Sequence, residues 1–242
     1  EKTKNLVPNH IIDIPDPNIV RVHNCKPFPV EMIVRAYITG SAWRSYQKGE
    51  EIPGVKFPKG LKKNQKLPQI IITPSTKAEI GEHDMPISRE DIIAKKLVDE
   101  RLYKEMEEKT LKLFRFASEH CAKNNLILVD CKFEFGLTPE GQIVVIDEIF
   151  TPDASRFWIL DTYEGKYEKG EEPDILDKEF FRAWLIKEKN FMGDGPIPSV
   201  EDDIKVEFVK RYVQSYEMIT GQSFQPIVEG SILERIKKNL KT

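Results

Sequence analysis

The sequence predicts an α+β chain, an antiparallel sheet formed first and helices packed on it later. Three observations carry this. A strand pair with a turn-rich link occupies residues 127–148, a second β-rich run occupies 30–38, and apolar residues keep helical spacing from 92 to 121.

Each element follows in order. Residues 9–29 alternate extended segments (10–14 and 19–23) with Pro-rich turns. The run from Val30 to Ile38 ends at Thr39-Gly40-Ser41, where glycine permits a sharp turn. Residues 47–68, rich in Lys, Gly and Pro, read as a long surface excursion, and Ile70-Ile71-Ile72 as a short strand entering the polar loop Thr73-Pro74-Ser75-Thr76-Lys77. Ser88-Arg89-Glu90-Asp91 opens a helix with a capping-box-like pattern, and a break is expected near Asp99. Asn124-Asn125 ends it. Residues 178–189 and 200–221 read as helices, the second capped by Ser199, and 227–240 as a last amphipathic piece.

The whole chain sets bounds. Its 242 residues can bury a full core, as one large domain or two modest ones. A composition of 40% hydrophobic and 32% charged residues is that of a soluble globular protein. A net charge of −3 gives no reason to expect nucleic acid or an anionic membrane as partner. No apolar run approaches a transmembrane span, and the charged start is unlike a signal peptide. Cys25, Cys121 and Cys131 are odd in number and lack metal-ligand spacing, which suggests reduced thiols in a cytoplasmic protein. The four histidines form no ligand pattern, so zinc is not expected.

The strongest site candidate is Asp130-Cys131-Lys132-Phe133-Glu134-Phe135. Side chains alternate along a strand, so Asp130, Lys132 and Glu134 share one face and the apolar residues the other. Three charges in file on so hydrophobic a strand are costly to desolvate unless they serve each other or a ligand. If Glu140-Gly141 form a two-residue hairpin loop, Glu134 lies opposite Asp147. Directly opposed Cβ atoms lie roughly 4.5–5.5 Å apart, and like charges there repel. A divalent cation would turn the repulsion into binding, because Mg²⁺ in nucleotide sites takes one or two carboxylates plus phosphate and water. An exposed hairpin whose polar face meets water is the other reading, and a bulge would shift the register by one.

Other polar groups are more ambiguous. Arg35 with Ser41 offers a guanidinium fork and a Gly-Ser turn suited to phosphate, or an ordinary strand end. Thr151-Pro152-Asp153-Ala154-Ser155-Arg156 gathers hydroxyls, an acid and an arginine, and Asp153 could simply cap a helix. The loop from Thr73 to Asp84 is dense in small polar groups and could be merely solvated. Phe157, Trp158 and Trp184 suit packing better than base stacking.

Taken together and in this order, the segments from Pro29 to Trp43, Thr73 to Lys77, Val129 to Gly136, and Asp147-Glu148 followed by Thr151 to Arg156 resemble phosphoribosylaminoimidazole-succinocarboxamide synthase, the SAICAR synthetase family. The resemblance covers essentially the whole chain. It implies a two-lobe, ATP-grasp- or kinase-related fold. It implies an ATP-dependent ligase of purine biosynthesis that joins L-aspartate to carboxyaminoimidazole ribonucleotide through an acyl phosphate. Phosphoryl transfer needs positioning and charge neutralisation more than a covalent nucleophile, which suits these residues.

The resemblance also implies roles. Glu134 and Asp147 would hold Mg²⁺ on ATP, and Lys77 and Lys132 would neutralise the phosphoryl group. Arg35, Ser41 and Arg156 would bind the ribonucleotide's phosphate. Asp130, Asp84, Asp153 and Ser155 would orient the imidazole or the incoming aspartate. Asn24, Cys25 and Lys26 would form the hinge against adenine. The family begins with a Gly-rich hairpin carrying a Gly-Lys pair, which nothing here matches. Residues 1–28 are therefore expected to be a remnant of the ATP-covering lobe and hinge, and 29–242 the catalytic lobe. A sugar- or inositol-type kinase, or a fragment that binds the ribonucleotide without turnover, would share the carboxylates, but the kinase would need no aspartate site.

Overall fold

The computed structural model describes residues 2–77, 84–193, 195–227 and 230–240. Strands β1 (Ile11–Asp16) and β2 (Ile19–Val22) pair antiparallel in a small sheet of their own. Strand β3 (Lys26–Tyr37) enters the main sheet, burying Phe28, Val30, Met32 and Val34 on one face as period-two alternation requires. Helix α1 (Gly40–Lys48) follows at once, where the sequence suggested only a turn, and ends at Gly49 in the left-handed region. After the excursion come β4 (Lys66–Ile72) and β5 (Ser75–Thr76), both antiparallel to β3.

Helix α2 (Arg89–Ala94) starts as expected, with Ser88 Oγ accepting from Asp91 N at 3.0 Å. The break at Asp99 is a fresh N-cap: its carboxylate accepts from the Arg101 and Leu102 amides and starts α3 (Glu100–Lys123). This helix lays Met106, Leu113, Phe114 and Cys121 across the sheet. Strand β6 (Leu126–Leu137) is central, hydrogen-bonded to β3, β7 (Ile143–Ile146) and β8 (Ser155–Ile159), all antiparallel. Helix α4 (Leu160–Lys169) continues from β8. The chain closes with α5 (Glu179–Lys189), α6 (Asp202–Thr220) and α7 (Ile232–Leu240).

Four expectations need correction. The hairpin loop is five residues long, Leu137 pairing with Ile143, so Glu134 faces Ile146 and not Asp147. Thr138 closes that loop by bonding Gln142 O and Gly141 N, with Gly141 at φ +82°, a conformation a side chain would oppose. The segment 151–156, where Asp153 could have capped a helix, instead ends in strand β8, with Phe157 and Trp158 packed on the sheet. Helix α6 is preceded by Glu201 as N-cap rather than Ser199, and α7 starts at Ile232, later than 227.

One irregularity in β6 positions the site. Leu128 pairs with Phe157 but Asp130 with Arg156, leaving Val129 as the extra residue of a β-bulge. Upstream, Leu126 and Leu128 face the main core. Downstream, the bulge transfers that duty to Cys131, Phe133 and Phe135 and turns Asp130, Lys132 and Glu134 to the other face.

Candidate active site

Two polar rows cross the sheet on the face opposite the main core. In the first, Ser75 on β5 is opposite Glu31 on β3, and Glu31 is opposite Glu134 on β6. Lys132 Nζ bonds Glu31 Oε1 at 2.8 Å and Glu134 Oε1 at 3.0 Å. Lys77 Nζ reaches Glu134 Oε2 at 2.5 Å, and Ser75 Oγ donates to Glu31 Oε2 at 3.2 Å. Both carboxylates are buried.

Their electrostatics differ. Burial raises the Glu31 carboxyl above its ordinary value, and Lys132 offsets this only in part. Burial pushes Glu134 the same way, but hydrogen bonds from Lys77 and Lys132 outweigh it and hold that carboxyl low. Burial works against the Lys132 ammonium too, yet its bonds to Glu31 and Glu134 keep it above the usual lysine range. Lys132 is therefore a fixed positive charge, unsuited to act as a base.

The second row lies four residues further along β3, about 13 Å away at strand spacing. Asp130 is directly opposite Arg35 on one side and Arg156 on the other. Its Oδ2 accepts from Arg35 Nη1 at 3.1 Å and from Arg156 Nη1 at 2.6 Å. Arg35 also donates to Thr73 Oγ1 at 2.9 Å and lies 3.4 Å from Ser41 Oγ. Arg156 Nη2 approaches Glu179 Oε1 at 3.4 Å. Burial lowers the Arg35 guanidinium; burial lowers Arg156 as well, but Asp130 and Glu179 more than compensate and raise it. Gly40 lets this guanidinium approach: a Cβ there would lie 2.5 Å from Arg156 Nη2.

A cleft of about 240 Å³ joins the rows, lined by Glu31, Arg35, Ser41, Asp84, Asp130, Lys132, Asp153, Ser155 and Arg156, with Asp177, Glu179 and Arg182 from the far wall. Most of the anticipated residues thus meet in one place. Ser155, buried on β8 opposite Cys131, has an Oγ without an oxygen or nitrogen partner. Asp153 is exposed and accepts from Tyr212. Asp147 stands apart, exposed just past the end of β7 at φ +59°. Asn24, Cys25 and Lys26 lie at the other end of β3, where Cys25 and Lys26 pack against Gly136.

Sequence reasoning missed Glu31, Thr73, Asp177, Glu179 and Arg182. Glu31 had a signal: it sits four residues before Arg35 on one strand and so shares its face. Asp177 had none. It is fully buried, accepts from the Phe157 and Glu179 amides at 2.8 and 2.9 Å, and burial pushes its carboxyl up to about 7.

An adjoining cleft of about 570 Å³ carries Arg44, Lys63, Arg182 and Lys187 and shares Arg156. A larger cavity, about 790 Å³, lies between α3 and α6; its lining is mainly apolar and aromatic, with Lys2 and His120 among its few polar groups. The polar cleft is the stronger site candidate because charge, burial and hydrogen-bonding groups converge on it. Among the described residues no cluster of three or more His, Cys, Asp or Glu is placed to hold a metal ion, and no helix is long and apolar enough to cross a membrane.

Comparison with known proteins fits this geometry. A family model described as SAICAR synthetase matches residues 1–196. The chain is 43% identical to phosphoribosylaminoimidazole-succinocarboxamide synthase of Legionella pneumophila (strain Lens), over all of this chain and 78% of that protein. It is 45% identical to the synthase of Flavobacterium psychrophilum, over 99% of this chain and 77% of the relative. A SAICAR-synthase from Saccharomyces cerevisiae complexed with SAICAR superposes with a TM-score of 0.75 at 34% identity, over 93% of this chain and 78% of that one. A SAICAR synthetase in complex with ADP gives 0.67 at 27% identity, over 93% and 77%. On these matches, which run through both polar rows, the chain belongs to the SAICAR synthetase family.

Proposed function

We propose that this chain is an ATP-dependent ligase that joins L-aspartate to carboxyaminoimidazole ribonucleotide, giving SAICAR, ADP and phosphate. The observation that carries the reading is the order of groups along β3 and β6. The 24–26 segment comes first, then the Glu31–Glu134 row with its two lysines, then the arginine row around Asp130. That order suits adenine, phosphates and ribonucleotide laid end to end. The relatives' names and the ADP- and SAICAR-bound family structures support it.

In the first step, the ribonucleotide's carboxylate oxygen attacks the γ-phosphorus of ATP; the bond to the bridging oxygen breaks and ADP leaves. The aspartate amine then attacks the acyl carbon, a C–N bond forms, the amine loses a proton and phosphate departs. Lys77 and Lys132 neutralise charge on the phosphoryl group. Arg35, Ser41 and Arg156 hold the ribonucleotide's phosphate, and Asp130 fixes the two guanidiniums beside it. Asp84, Asp153 and Ser155, which line the cleft, orient the imidazole or the aspartate.

The donor set suits Mg²⁺. Glu134 supplies a hard oxygen ligand and Glu31 stands opposite it in the same row, whereas Asp147 lies apart from both; the ammonium groups on Glu134 mark where positive charge is needed. When bound, Mg²⁺ would neutralise and orient the ATP phosphates. Residues 1–28 serve in this reading as hinge and small-lobe segment and 29–242 as the catalytic lobe, supported by the separate β1–β2 sheet.

The test supplies ATP, Mg²⁺, the ribonucleotide and L-aspartate. ADP release is expected to require both other substrates, and release indifferent to aspartate would favour a kinase and overturn the ligase. Glu134→Gln is expected to abolish metal-dependent turnover with an unchanged circular dichroism spectrum. Unchanged turnover would remove Glu134 from the metal site.

A further inference from the structure

Helix α6 is docked against the wall of the cleft by three neighbouring side chains. Arg211 Nη1 donates to Ile175 O at 2.7 Å and its guanidinium lies 4.0 Å over the Phe180 ring. Ser215, fully buried, donates to Leu176 O. Between them, the Tyr212 ring meets Phe208 edge-on at 4.5 Å, and Phe208 stacks at 5.0 Å on Phe181 of α5. The phenol is thus fixed at its base, with few rotamers left to it. Its hydroxyl donates to Asp153 Oδ1 at 2.8 Å, across 59 residues of sequence.

Asp153 needs such a partner. It is exposed, in the turn after Pro152, and lines the cleft. An exposed carboxylate samples several rotamers unless something holds it, and ordering it on binding costs affinity. We propose that Tyr212 is a positioning residue: by hydrogen-bonding Asp153 it pre-orients that carboxylate toward the bound ribonucleotide or aspartate. The inference rests on the reading of Asp153 as a substrate-side group. Burial, and next the bond to Asp153, hold the Tyr212 phenol above its ordinary range, so it remains a donor at every working pH. The same bond makes α6 part of the site, although none of its residues lines the polar cleft.

The test is a double-mutant cycle on binding of SAICAR to the full chain, read by calorimetry, with the melting temperature of each variant alongside. Tyr212→Phe keeps the ring and removes the hydroxyl. It is expected to weaken SAICAR binding about three- to ten-fold, the net effect of losing one ordinary hydrogen bond that acts through Asp153, with the melting temperature nearly unchanged. Asp153→Ala should weaken binding at least as much, and adding Tyr212→Phe to it should cost nothing further. If Asp153→Ala binds normally, the reading of Asp153 fails and the inference falls with it. If Asp153→Ala weakens binding but Tyr212→Phe does not, Asp153 keeps its role and Tyr212 loses the one proposed. Losses that multiply in the double variant would show Tyr212 acting by another route and overturn the inference.

Discussion

Glu31 and Glu134 stand directly opposite each other on neighbouring antiparallel strands, and the Lys132 ammonium bonds both, at 2.8 and 3.0 Å. Two buried carboxylates in that relation repel unless a cation lies between them. The bridge leaves them unequal. Glu134 has a second lysine and stays anionic, whereas Glu31 has one and is the easier of the two to protonate. That inequality makes Glu134 the better ligand for a divalent cation.

Replacing the bridge should expose the repulsion. Breaking a buried ion pair costs about 3–5 kcal/mol, but Lys132 is 35% exposed and Lys77 remains, so Lys132→Met is expected to cost roughly 1–3 kcal/mol. Adding Glu31→Gln removes one of the opposed charges and should restore much of the loss. Urea denaturation of the two variants decides it; a second change that destabilises further would show that the two carboxylates do not repel.

Gly40 should control the arginine row. It holds φ +55°, and a methyl group there would lie 2.5 Å from Arg156 Nη2. The left-handed backbone costs alanine about 1–2 kcal/mol, and the guanidinium must move away from Asp130 to make room. Gly40→Ala is expected to lower affinity for the ribonucleotide about ten-fold or more, the loss of an interaction worth at least 1.4 kcal/mol. Calorimetric titration of the variant measures this, and native affinity would show that Arg156 does not contact the ligand.

Asp177 should give the fold a pH dependence of unusual sign. Burial raises its carboxyl to about 7, with the Phe157 and Glu179 amides and Arg156 pulling the other way. Between the ordinary Asp value of 3.8 and about 7 the native state keeps a proton that the unfolded chain has released. Its contribution is therefore fully present below about pH 4 and is lost as pH rises through 7, at up to about 1.4 kcal/mol per pH unit. Asp177→Asn cannot titrate, so the stability difference between wild type and variant should shift in the variant's favour from pH 4 to 7. A difference that is flat with pH would place the Asp177 carboxyl near its ordinary value.

Local pattern was sufficient for part of this protein. Alternation along 130–135 established that Asp130, Lys132 and Glu134 share a face, because side-chain direction in a strand is a property of consecutive residues. Spacing and caps likewise marked α3, whose start at Asp99 needs only its own first turn. Partners were another matter. Glu134 was matched to Asp147 through an assumed two-residue loop, and the five-residue loop moved the register by one. Its actual partner, Glu31, comes from a strand about a hundred residues earlier, as the 101-residue separation between Lys132 and Glu31 shows.

Three features of the site were decided only by long-range packing. The bulge at Val129 sets which face Asp130 takes, and it exists because β8 pairs there one residue out of step. Arg156 meets Asp130 because Phe157 and Trp158 draw its segment into the sheet. Asp177 lines the cleft and Tyr212 reaches its Asp153 because the segments around α5 and α6 dock on its wall. Residue chemistry and periodicity are written in neighbours along the chain, whereas which charges meet depends on burying the apolar faces of elements far apart in it.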